Sequence, residues 1–97
     1  MPKPNTVTGR QIMNLIEKQD FRCALSGRKL TPETASLDHI IPLSRGGQHD
    51  IRNLQVLEHQ VNTAKGTLTM EEFLSLCRDV THHKSQQADP EEIQVQM

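Results

Sequence analysis

Residues 44–53, SRGGQHDIRN, form a mostly polar, glycine-bearing stretch set between two short apolar runs at 37–43 and 54–57. This interruption limits the fold more than any other feature of the chain. Each run has the length of a strand, and Pro42 keeps the first from being a long central one, because proline has no N–H to give to a ladder. The pattern predicts a hairpin with strands over 36–41 and 54–57. The joining loop should be exposed, with Gly46 and Gly47 letting the backbone come close to a ligand. Just beyond, Leu57, Val61 and Ala64 recur at i, i+4 and i+7, and Gly66 stands where a C-cap belongs. That spacing predicts a helix of about two turns, with Asn62 and Lys65 off its buried stripe.

Helices are expected on both sides of this unit. Thr8 to Gln11 reads T-x-x-Q, a capping box stapled by Val7 and Ile12, and Leu15 and Ile16 continue the stripe of a helix near 9–19. Residues 21–30, FRCALSGRKL, combine an apolar segment with a Ser-Gly turn, as in a small hairpin or knuckle. Thr69 to Glu72 is a second capping box, stapled by Leu68 and Phe73, and its helix should bury Met70, Phe73, Leu74, Cys77 and Val80. From 82 to 97 the chain is polar and acidic with little to bury, so a disordered tail is expected after a domain spanning 1–81.

The 97 residues suffice for one small core, an aliphatic one, because Phe21 and Phe73 are the only aromatics. Aromatic platforms for stacking bases are therefore excluded. The sequence has neither an apolar run of about 20 residues nor the apolar segment of a signal peptide, so a soluble, cytoplasmic protein is expected. Cys23 and Cys77 stand far apart without a CxxC pair, which favours two reduced thiols. Residues 1–65 carry nine Lys and Arg against six Asp and Glu, and residues 66–97 carry two against six. A cationic front half is compatible with a polyanionic substrate but does not require one.

The predicted strand, loop, strand and helix place Asp38, His39, Asn53 and Asn62 on one compact unit. Alternation along a strand sends Asp38 and His39 to opposite faces unless the strand bends or ends there. The ordered strings LDHIIPLSRGG, NLQVL and N-x-x-K-G, all within residues 37–66, resemble the HNH endonuclease motif. The intervals from His39 to Asn53 and from Asn53 to Asn62 are similar to those in the HNH domain of RNA-guided CRISPR effector nucleases.

The resemblance implies an α+β fold with a ββα-metal core over 37–66, flanked by the N-terminal and C-terminal helices. It implies that Asp38 and Asn62 are metal ligands, that His39 is the general base, and that Asn53 orients that base and ties down the loop. With Asn in the third position, the chain reads as an H-N-N variant. A carboxylate and an amide oxygen make a hard, sparse site suited to one Mg²⁺ or Mn²⁺, or another divalent cation. Imidazole titrates near neutrality and can take a proton from water, a step contributing about 10²–10⁴-fold in rate. Many family members bind a structural zinc through two cysteine pairs. The corresponding positions here are Cys23, Ser26, Glu58 and Val61, so no structural zinc is expected.

Lys65, three residues after Asn62, and Arg45 and Arg52, on either side of the glycines, are the candidate phosphate contacts. His49 and His59 are read as solvated. The expected activity is a metal-dependent endonuclease or nickase acting on DNA, structured or nicked DNA included, and leaving 5′-phosphate and 3′-hydroxyl ends. Small chains of this kind resemble those of phages and mobile elements, which would place the protein in a bacterial cytoplasm. Weak predicted binding leaves room for a protein partner or homo-oligomer. The alternatives are a ββα module that binds nucleic acid without turnover and an interaction domain recruited through its acidic tail.

Overall fold

The computed structural model describes residues 6–87. Helix α1 spans Gly9–Lys18, and its expected capping box is complete: Gln11 N–H donates to Thr8 Oγ1 at 3.1 Å, and Thr8 N–H donates to Gln11 Oε1 at 2.9 Å. Asp20 and Phe21, both at positive φ, then reverse the chain. The expected knuckle follows, closed by Cys23 N–H to the Arg28 carbonyl at 2.7 Å and Gly27 N–H to the Cys23 carbonyl at 3.0 Å. A φ of +74° at Gly27 lies where side chains are strained, so glycine suits that corner.

Strands β1 (Ala35–His39) and β2 (Leu54–Glu58) pair antiparallel, with Ala35 opposite Glu58, Asp38 opposite Gln55 and His39 opposite Leu54. The predicted hairpin is present, and β1 ends at His39, two residues earlier than expected. Ile40 N–H still donates to the Asn53 carbonyl at 2.8 Å, which sets the width of the loop mouth. On the outer edge of β2, the Gln19 side chain imitates a neighbouring strand. Its Nε2 donates to the Val56 carbonyl at 2.8 Å and its Oε1 accepts from Val56 N–H at 3.0 Å. A sheet of two strands is marginal alone, and this clasp fastens it to α1 and the knuckle.

Cys23, Leu30, Val56 and Leu57 form the core, with Leu15, Ile16, Leu25, Ala35 and Val61 packed around it. Each large aliphatic buried there contributes about 1.5–3 kcal/mol. Helix α2 (His59–Lys65) starts at Glu58, whose carboxylate accepts from Gln60 N–H and Val61 N–H. Its buried residue is Lys65, while Ala64 is exposed, which corrects the expectation that Lys65 lies off the packed face. The cause is Asp38 on the facing strand, which draws the ammonium inward.

Helix α3 (Met70–Gln86) carries the second expected capping box, between Thr69 and Glu72. It buries only Phe73; Leu74, Cys77 and Val80 are exposed, so most of the expected stripe does not support the core. The helix leaves the hairpin after its first turn, and nothing among the described residues covers the rest. It also runs to Gln86, five residues past the predicted domain edge at 81; the remainder of the expected tail, from 88, lies outside the described residues.

Candidate active site

Asp38, His39 and Asn62 line one open cleft of about 310 Å³, together with Pro42, Leu43, Ser44 and Gly66. Strand alternation would have separated Asp38 from His39, but β1 stops at His39 and both residues reach the cleft.

Asp38 is buried in the cleft wall. Gln55, its partner across the hairpin, donates from Nε2 to Oδ2 at 2.9 Å, and Lys65 Nζ donates to Oδ1 at 3.2 Å. The same ammonium donates to the His39 carbonyl at 3.2 Å. Lys65 therefore fixes the backbone and carboxylate of the Asp38-His39 pair. A phosphate contact does not fit a side chain with no exposed surface, so the expectation for Lys65 is corrected to a structural one.

Asn62 donates from Nδ2 to Ser36 Oγ at 2.6 Å and to the Leu37 carbonyl at 3.3 Å. Both bonds use the amide nitrogen, which leaves Oδ1 as an available oxygen donor. Among the described residues no three His, Cys, Asp or Glu side chains gather as a metal cluster. One buried carboxylate and one amide oxygen beside an open cleft fit a hard divalent cation that keeps most of its water, and do not fit a closed thiolate or imidazole cage.

Asn53 closes the loop. Its Oδ1 accepts from Ile41 N–H at 2.9 Å, and its Nδ2 donates to the carbonyls of Ile41 and Gln48 at 3.0 and 2.8 Å. It does not hold the His39 ring, as the resemblance had implied. That contact belongs to His49, whose Nδ1 lies 2.9 Å from His39 Nε2, with ring centroids 5.2 Å apart. Both glycines serve this fold-back. Gly46 is left-handed at φ +93°, and a Cβ on Gly47 would sit 1.8 Å from the Ile41 carbonyl oxygen.

The two candidate arginines are exposed and already paired. Arg52 forms a fork with Asp50, Nε to Oδ1 at 2.9 Å and Nη2 to Oδ2 at 3.0 Å. Hydrogen bonds from the Arg52 side chain and backbone hold the Asp50 carboxyl at about 2, below its ordinary 3.8. Arg45 grips Glu72 of α3 through both carboxylate oxygens; this raises the guanidinium pKa and lowers that of Glu72, each chiefly through the hydrogen bond between them. His59 is exposed on α2, as expected.

The four positions that correspond to zinc cysteines in other sequences lie around the knuckle and the start of α2. Burial alone would raise the Cys23 thiol, but hydrogen bonds from Ser26, Glu58 and Leu25 outweigh it and the pKa lies below its ordinary value. Arg28 lies 3.5 Å from the Glu58 carboxylate, an ion pair joining the knuckle to the N-terminus of α2.

Sequence reasoning missed Gln55, Lys65 as a partner of Asp38, and His49. The hairpin register could have supplied Gln55, since pairing His39 with Leu54 puts it opposite Asp38. His49 gave no periodic signal; only the closed loop brings it back to His39.

A search of curated proteins gives no match. A model of the HNH endonuclease family matches residues 23–75, from the knuckle through the hairpin and α2 into α3. That span exceeds half of the chain, and the hairpin followed by α2 is the ββα arrangement which the motif requires. The chain belongs to the HNH endonuclease family.

Proposed function

We propose that the cleft at the end of β1 hydrolyses DNA phosphodiester bonds with one bound divalent cation, Mg²⁺ or Mn²⁺. The observation that carries this reading is the meeting of Asp38, His39 and Asn62 at one cleft within a family of nucleases. Asp38 and Asn62 are the residues that would hold the cation, through oxygen atoms, and a cation held there would supply neutralisation of charge on the phosphate and on the departing 3′ oxygen.

The residues of the chain do the rest. His39 takes a proton from a water molecule as that water's oxygen bonds to phosphorus and the bond to the 3′ oxygen breaks. The departing 3′ oxygen leaves with the electron pair of the broken bond and takes a proton from solvent water, so the products are a 5′-phosphate and a 3′-hydroxyl. Lys65 and Gln55 hold the Asp38 carboxylate in place in the cleft wall, and Asn53 keeps the 41–53 loop folded back on itself. Arg52, with its side chain 87% exposed, and Arg45 face the nucleic-acid backbone.

Supercoiled plasmid incubated with the protein and Mg²⁺, Mn²⁺ or a chelator tests the reading. Relaxed circles bearing 3′-hydroxyl ends should accumulate with metal and not with chelator. Binding without any cleavage, in either metal, would instead favour a ββα module that has lost turnover.

A further inference from the structure

We propose that His49 is a positioning residue for His39, fixing the plane and the tautomer of its ring; this rests on the reading of His39 as the general base. The contact joins His39 Nε2 to His49 Nδ1 at 2.9 Å, and no other hydrogen bond to the His39 ring is present among the described residues. A base must present a bare nitrogen. With Nε2 carrying the hydrogen and donating it to His49 Nδ1, the bare nitrogen of His39 is Nδ1. Taking a proton there makes His39 an imidazolium, and its Nε2–H bond to His49 becomes charge-assisted and stronger as the reaction proceeds.

The loop is built to hold His49 in place. On one side, the Gln48 carbonyl accepts from Asn53 Nδ2 at 2.8 Å. On the other, the Asp50 carboxylate accepts from Arg52 N–H at 2.9 Å and from its guanidinium. Gly47 lets the backbone press against Ile41, where no side chain would fit. His49 is thus exposed yet braced at both neighbours, and a half-buried His39 at a strand end gains the fixed partner it otherwise lacks. Partners that orient metal-bound imidazoles cost about 10- to 100-fold in metal affinity or activity when removed, and a loss of at least that order is expected for an imidazole acting as base.

The test uses the full chain and three variants, His49→Phe, His49→Asn and His39→Ala. Phenylalanine keeps a ring without an acceptor, whereas the Oδ1 of asparagine falls near the position of Nδ1. In plasmid cleavage, His49→Phe should lose about 10- to 100-fold in kcat with KM little changed, and His49→Asn should restore most of it. A second readout needs no turnover. In mildly alkaline buffer without metal, ¹⁵N-resolved NMR of the imidazoles should find His39 protonated at Nε2 in the wild type and as mixed tautomers in His49→Phe. Wild-type kcat in His49→Phe alongside an inactive His39→Ala, or a wild-type His39 protonated at Nδ1, overturns the proposal for His49 alone. Full cleavage by His39→Ala overturns the general-base reading itself.

Discussion

At the scale of single residues, the centre of the account is a buried ammonium on a buried carboxylate. Lys65 and Asp38 are both out of solvent, and each satisfies the other through hydrogen bonds shared with Gln55 and the His39 carbonyl. Removing one member strands the other, which costs about 3–5 kcal/mol, whereas replacing both with apolar or neutral groups costs much less. Lys65→Met should therefore lower unfolding free energy in urea by about that amount, and adding Asp38→Asn should recover part of it. A Lys65→Met chain as stable as wild type would show that the pair does not form. Asp50 gives a second residue-level prediction. Its folded pKa of about 2 lies below the ordinary 3.8, so its support for the loop is full above 3.8 and disappears as pH falls through about 2. NMR signals of residues 48–52 should hold their native positions at the upper end of that window and move toward its lower end, and Asp50→Asn should abolish the movement.

At the scale of elements, what was legible had local chemistry. Both capping boxes were readable because the partners stand three residues apart, and the hairpin was readable because its apolar runs flank a polar loop. The Gln19 clasp on Val56 joins residues 37 apart in the chain, and no local pattern announces it. Helix α3 shows the converse error. Its periodicity is real, but a helix face is buried only where something lies opposite, and α3 leaves the hairpin after Phe73. Phe73→Ala should cost about 3–5 kcal/mol, and Val80→Ser, at a side chain more than half exposed, should stay within about 0.5 kcal/mol. Thermal unfolding of the two variants checks this; equal losses would mean that the distal part of α3 is covered in solution.

At the scale of the whole molecule, the near-neutral charge and the ion-paired arginines predict modest attraction to nucleic acid. Arg52→Ala should reduce the slope of log K against log salt by about 0.9 if it meets one phosphate, and Lys65→Met should leave the slope unchanged. Fluorescence anisotropy with a labelled duplex measures both. The resemblance to the family motif nominates Asp38, His39, Asn53 and Asn62, and the fold brings Asp38, His39 and Asn62 to one cleft while Asn53 closes the loop. Their supports were not legible in the sequence, since Gln55, Lys65 and His49 meet them only after the hairpin pairs and the loop closes. The most direct measurement is metal-dependent plasmid cleavage by wild-type protein beside His39→Ala, with circular dichroism confirming that both are folded. The wild type should cleave and the variant should not; equal cleavage by the two would rule out His39 as the general base.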